Sequence, residues 1–183
     1  MKEELIIAGF GGQGVLSMGK ILAYSGIMQD QEVTWMPSYG PEMRGGTANV
    51  SVIISDKKIS SPILSRFDSA IILNQQSLDK FESQVKPGGL LIYDPNGISR
   101  HPVRKDITVC SISAVDESAA LGNSKAYNMV VLGAYLKKKP IVSLENVIKG
   151  LKKSIPERHH GLIPMNEKAI QVGMEKVVDI NTL

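Results

Sequence analysis

The sequence predicts an α/β domain: a mostly parallel sheet with helices on both faces. Three observations carry this. Short continuous apolar runs, Leu5-Ile6-Ile7-Ala8, Ser69 to Leu73 and Leu90 to Tyr93, read as strands buried on both faces. Stretches of helical length and pattern alternate with them. Glycines and prolines close the runs where such a sheet makes its turns. Ligand sites in these sheets form at the carboxyl ends of the strands. The loops 9–14, 38–46, 74–76 and 94–97 are therefore the ones to watch.

The first strand, Leu5 to Ala8, runs into glycines, and Val15 to Met28, proline-free and rich in Leu, Ile and Met, is a helix. Gly19, Ala23 and Gly26 share a face that lets it lie close to the sheet. Glu32 to Met36 is a second strand ended by Pro37, with Trp35 and Met36 placed in the core. Ser38 to Gly46 is a loop, Thr47 to Ile54 an alternating strand, and Ser55 to Ser61 a polar turn. A helix over Ser77 to Val85 is closed by Pro87-Gly88-Gly89, and Asp94-Pro95-Asn96-Gly97 is a turn after Leu90 to Tyr93. Ile107 to Ile112 is the last strand. Asn123 or Ser124 caps a helix over Lys125 to Lys139, apolar all round at its centre and hence buried. Ser143 caps another helix to about Ser154. Pro156 to Pro164 is a loop, and Asn166 to Val178 an amphipathic helix with Ala169, Ile170, Gly173, Met174 and Val177 toward one side.

At 183 residues, 43% hydrophobic and 21% charged, the chain has the balance of a folded protein and is expected to be one domain over 1–183. A net charge of +3 is too small to imply nucleic acid, although residues 121–160 hold eight basic and two acidic residues. The first apolar run is short and glycine-interrupted, so no signal peptide is expected, and no apolar stretch suits a bilayer. The expected place is the cytoplasm. The single cysteine, Cys110, cannot hold an iron–sulfur cluster or form an internal disulfide.

Gly9-Phe10-Gly11-Gly12-Gln13-Gly14 matches G-x-G-x-x-G between a strand and a helix, the Rossmann-like setting in which backbone amides hold a phosphate. A nicotinamide site also needs an acid at the end of the second strand. Here that strand ends in Met36-Pro37-Ser38. A stand-alone NAD(P)-binding oxidoreductase is thus the weaker reading, while binding of another anion, or a tight turn with no ligand, stays open. The loop Pro37 to Gly46 projects Tyr39, Glu42, Met43 and Arg44 from a path fixed by Gly40, Pro41, Gly45 and Gly46. Arginine holds a carboxylate or phosphate with two parallel bonds, and tyrosine and methionine suit a partner surface. A plain connection, with Arg44 paired to Glu42, is the alternative.

Gly11-Gly12-Gln13-Gly14 together with Ser38-Tyr39-Gly40-Pro41-Glu42-Met43-Arg44-Gly45-Gly46 resembles the γ subunit of 2-oxoacid:ferredoxin oxidoreductases over nearly the whole chain, Asn166, Ala169 and Gly173 included. The form of the second loop is most similar to the 2-oxoglutarate and branched-chain members. The resemblance implies oxidative decarboxylation of a 2-oxoacid, 2-oxoglutarate by preference, to an acyl-coenzyme A, with electrons passed to ferredoxin. It implies partners of α, β and δ type that hold thiamine diphosphate and iron–sulfur clusters, coenzyme A as co-substrate, and a homodimer. The chain itself is expected to bind no cofactor alone, no nucleic acid, no membrane and no metal, and to supply no catalytic residue. Its Gly11, Gly12, Gln13, Gly14 and Arg44 are the candidates toward coenzyme A, and Tyr39, Glu42, Met43 and Arg44 toward partners. A purely structural assembly subunit is the third reading.

Among the remaining candidates, Cys110 reads as a buried small hydrophobe, His101 as exposed, and His159-His160 as loop residues pointing different ways. Lys137-Lys138-Lys139 suits a helix carboxyl end, with contact to a coenzyme A phosphate or an acidic ferredoxin as the alternative.

Overall fold

A computed structural model describes residues 1–39 and 47–181. Seven strands form one sheet: β1 (Lys2–Phe10), β2 (Glu32–Tyr39), β3 (Thr47–Ser55), β4 (Phe67–Ile72), β5 (Val85–Tyr93), β6 (Thr108–Ser111) and β7 (Val178–Asn181). Their spatial order is β2-β3-β1-β4-β5-β6-β7. The β1–β4, β4–β5 and β5–β6 pairs are parallel, and β3 and β7 run against their neighbours. Five strands therefore share one direction, β2 among them.

Alternation along β1 divides the core. Leu5 and Ile7 join the cluster beneath α1 (Val15–Met28), α4 (Tyr127–Lys138), α5 (Leu144–Ser154) and α6 (Ile163–Lys176). Ile6 and Ala8 join Phe67, Leu78 and Phe81 beneath α2 (Gln75–Phe81) on the other face. Both faces are covered, as continuous apolar strands require, and the cover is unequal: one face carries most of the helical mass. There α4 and α6 cross at backbone contact. A Cβ on Gly133 would collide with the Ile170 carbonyl, and one on Gly173 with the Val130 carbonyl.

Several sequence expectations need correction. Pro37 does not end β2, which continues through Ser38 to Tyr39. A proline missing one ladder donor is tolerated because β2 is an edge strand. Pro87-Gly88-Gly89 lies within β5, not after a helix. Gly88 has φ +77° and donates its amide to Asp106, beside a register shift in the pairing with β4. Trp35 and Met36 are 39% and 38% exposed, not core, because nothing among the described residues continues the sheet beyond β2. A helix α3 (Ala114–Ala120) and strand β7 have no counterpart in the sequence reading. Residues Glu157–Leu162 form a 3₁₀ turn, and α6 begins at Ile163 with Pro164 in its first turn. Asn123 caps a short 3₁₀ turn before α4, and Ser143 caps α5 as expected. Among the described residues no helix is long and apolar enough to cross a membrane.

Candidate functional site

At the carboxyl edge of the sheet β1 gives way to the glycine loop, and two positive-φ glycines turn the chain into α1. Gly12 has φ +99°, and Gly14, at the helix N-cap, has φ +73°. A Cβ on Gly14 would collide with the Asn128 side chain of α4, so the turn is also a close approach. No side chain caps α1 and no acid stands in its first turn. The amides of that turn, with the positive end of the helix dipole, border the adjoining cleft, and among the described residues no carboxylate lines it.

Gln13 braces the loop. Its Oε1 accepts from the Phe10 amide at 2.6 Å, and its Nε2 donates to the Leu73 carbonyl at 3.2 Å at the end of β4. A side chain on Gly9 would displace it. Gln13 therefore holds the loop and does not line the cleft, whereas Gly11, Gly12 and Gly14 do.

The cleft encloses about 300 Å³. Phe10 and the three glycines form one wall, Thr47 and Ala48 the other, with Val15 to Ser17 between. Strand register explains this meeting. Ala48 of β3 pairs with Gly9 on one side and with Tyr39 of β2 on the other, and Thr47 pairs with Phe10. The last residues of the β2–β3 hairpin and the start of the glycine loop thus share one row of the sheet. Glu42, Met43 and Arg44 lie outside the described residues, as does the side chain of Tyr39; the strand ends that carry them do not.

The other two watched loops bond mainly to the chain around them. Asn74 is buried and caps α2 through the Ser77 amide at 2.8 Å. Buried Asp94 accepts from the amides of Asn96, at 2.8 Å, and Val115, at 3.3 Å. Gly97 packs on the Leu73 carbonyl.

The same order of strands weighs against a dinucleotide site. In that architecture the second strand lies beside the first and offers its acid to the ribose. Here antiparallel β3 separates β2 from β1.

Cys110 is fully buried; burial first, and then its hydrogen bond to Asp179, push its thiol up to about 12, which makes it inert as a nucleophile. His101 is exposed, with Nδ1 3.1 Å from the Tyr93 hydroxyl, and His160 bonds the Lys152 and Ile155 carbonyls at 3.0 Å. Lys138 pairs with Asp179, and Lys139 stands 3.8 Å from Glu3. Two of the three lysines closing α4 thus have partners within the chain. Among the described residues no three His, Cys, Asp or Glu side chains converge to hold a metal. What sequence reasoning missed is Asn128, Thr47 and Ala48. Topology alone brings them to the loop, and no local pattern marks them.

Fold and site define an α/β domain whose glycine loop and hairpin meet at the carboxyl edge of the sheet. The model of the pyruvate ferredoxin/flavodoxin oxidoreductase family matches residues 4–176, and the chain belongs to that family. It is 31% identical over 186 residues to the 2-oxoglutarate synthase subunit KorC of Methanothermobacter marburgensis, with 98% of each chain covered. It is 40% identical over 132 residues to the ketoisovalerate oxidoreductase subunit VorA of Methanothermobacter thermautotrophicus, covering 71% of this chain and 27% of that relative. The chain thus spans about a quarter of the ketoisovalerate relatives it matches. The crystal structure of the keto/oxoacid ferredoxin oxidoreductase gamma subunit from Geobacter sulfurreducens is similar with a TM-score of 0.83 at 29% identity, over 96% of both chains.

Proposed function

We propose that this chain, acting as one domain, is the γ subunit of a cytoplasmic 2-oxoacid:ferredoxin oxidoreductase that takes 2-oxoglutarate. The complex decarboxylates the oxoacid oxidatively, forms an acyl-coenzyme A and reduces ferredoxin. The observation that supports this reading is the shared row of Tyr39, Ala48 and Gly9, which sets the strand ends flanking the second motif beside the glycine loop. Full-length similarity to a 2-oxoglutarate synthase subunit supports the oxoacid.

In this reading thiamine diphosphate carries the decarboxylation and iron–sulfur clusters carry the electrons, both in α-, β- and δ-type partners. One buried cysteine bonded to Asp179 does not fit a cluster. The chain's own part is binding. The amides at the start of α1, beside Gly11, Gly12 and Gly14, hold an anionic group of coenzyme A; Gln13 fixes the loop that presents them. Arg44 supplies a second, forked contact, and Tyr39, Glu42 and Met43 face the partner subunits. Two copies associate, with exposed Trp35 and Met36 on the β2 edge available to the contact. Light scattering at micromolar concentration gives a dimer mass; a 19.9 kDa monomer would remove this last element.

The test is Arg44→Ala in the assembled enzyme. Loss of one charge-assisted contact costs about 1.5–3 kcal/mol, a ten- to hundredfold change in affinity. The expected result is a raised KM for coenzyme A with the fold of the isolated chain intact. An unchanged KM with an unchanged complex would leave only the structural-subunit reading.

A further inference from the structure

A second cleft, of about 520 Å³, lies behind the glycine loop, between α1, α4, the end of α5 and the start of α6. Its origin is visible in the packing. Gln29 at the end of α1 bonds to Ile141 and Ser143 before α5, and Gly150 presses α5 onto Ile21 and Ser25. The two helices run antiparallel and touch up to that glycine. Beyond it α5 ends at Ser154, and Ile155 and Pro156 leave the helix along the side of the cleft. His160 fixes this corner by bonding the Lys152 and Ile155 carbonyls at 3.0 Å.

The lining is graded. Ile21, Met129, Leu151 and Ile155 make an apolar floor. Asn128 and Asn166 in the lining are half-buried, and Lys20 and Lys125 are exposed, with the Lys20 ammonium 5.9 Å from the Tyr24 ring centroid. Neither lysine is among those that pair with acids in the described residues, which are Lys2, Lys86, Lys138, Lys139 and Lys149. The volume is that of a small-molecule site, and an apolar body with a few polar anchors is the usual lining.

We infer that this cleft is a second binding site, for a phosphorylated nucleoside. A flat base fits the apolar floor, asparagine amides serve its edge or the sugar, and the two ammonium groups meet the phosphates. Asn128 separates this site from the first, since it lines the cleft on one side and touches Gly14 on the other. Ser17 borders both clefts. The inference does not rest on the oxidoreductase reading. Its experiment uses the isolated chain, and its failure leaves that reading intact.

The probe is ADP, titrated calorimetrically into the full chain and into Lys20→Glu, Lys125→Glu and, as a control at an exposed lysine outside both clefts, Lys58→Glu at low salt. Saturable binding is expected, weakened about tenfold by each reversal at the cleft and unchanged in Lys58→Glu. Both lysines are exposed, so unfolding midpoints should not move. Adenosine and pyrophosphate, each carrying half the chemistry, should bind more weakly than ADP. Coenzyme A contains the same nucleoside phosphate. If it competes with ADP and is weakened by the same reversals, the site holds the nucleotide end of a larger molecule; if it does not compete, the ligand is a free nucleotide. No saturable binding at millimolar ADP, or binding retained in full in both Lys20→Glu and Lys125→Glu, would overturn the inference.

Discussion

At the amino end of the sheet, side chains from three strands and one helix converge on each other. Glu4 of β1 pairs with Lys2 and Lys86, and Lys86 reaches Asp68 at 2.7 Å. Glu3, one residue earlier and on the other face, accepts from Ser69 and, at 3.2 Å, from the Tyr135 hydroxyl of α4. At the carboxyl end the corresponding positions are glycines, the helix has no side-chain cap, and the backbone faces a cleft. One end satisfies its polar groups internally and fixes the register of β1, β4 and β5. The other keeps donors available because the turn is held by backbone conformation and by Gln13. A strand that must present backbone to a ligand needs its anchoring elsewhere, and here it lies at the opposite end of the same strand.

The sharpest way to break the comparison is to give the carboxyl end a side chain. Gly14→Ala places a Cβ at φ +73° and against Asn128, and is expected to cost about 3 kcal/mol from strain and overlap together. Gly12→Ala has the strain without the overlap, since nothing lies within 4 Å of its Cβ, and should cost about 1–2 kcal/mol. Urea unfolding of both variants measures the difference. Equal losses would mean that Asn128 yields freely and that the turn is not a close approach.

At the amino end the expected effect is smaller and confined to stability. Glu4 is nearly buried. Burial alone would raise its carboxyl, but hydrogen bonds from Lys2 and Lys86 outweigh that and hold it below its ordinary value. Glu4→Ala leaves Lys86 with Asp68 only, and should cost about 2 kcal/mol, between an exposed and a fully buried pair. Ligand affinity at the glycine loop should not change. A loss under about 0.5 kcal/mol would place this pair among ordinary surface contacts.

Much of this contrast was legible in the sequence. The bounds of α1, Val15 to Met28, follow from the glycines before it and its unbroken apolar run. The glycine loop was legible because G-x-G-x-x-G stood between a strand and a helix. Pro37 and Pro87-Gly88-Gly89 misled because local breakers are tolerated at a sheet edge and at a bulge, and position in the sheet is a tertiary property. β7 is four residues, mostly exposed, with no apolar alternation to mark it. Gly173 falls on the buried face of its helix and Gly133 in the buried centre of another, but that the two helices cross there is not legible, since a helix crossing is written in two distant segments. Gln13 stands in the motif as a candidate toward coenzyme A, and its two hydrogen bonds to the chain are not legible from spacing.

The smallest expected effect separates two neighbouring carboxylates by sign. Burial raises the Glu3 carboxyl above its ordinary value of 4.5, with Ser69, Lys139 and Tyr135 only partly offsetting it. A carboxyl raised on folding binds its proton more readily in the native state. Its contribution therefore favours folding below 4.5 and is lost as pH rises through the window just above that value. Glu4, lowered on folding, does the reverse: its contribution is present above 4.5 and is lost as pH falls through its depressed value. Glu3→Gln keeps an acceptor for Ser69 and Tyr135 and removes the charge. At neutral pH it should change stability by less than about 1 kcal/mol, toward stabilisation. Its advantage over the parent should shrink as pH falls toward 4.5, whereas the deficit of Glu4→Ala should shrink only below that value. Urea midpoints measured from neutral pH down to about pH 3 resolve the two trends. A Glu3→Gln variant that loses as much as Glu4→Ala, equally at every pH, would show that Glu3 anchors the amino end as an ion and that burial does not burden it.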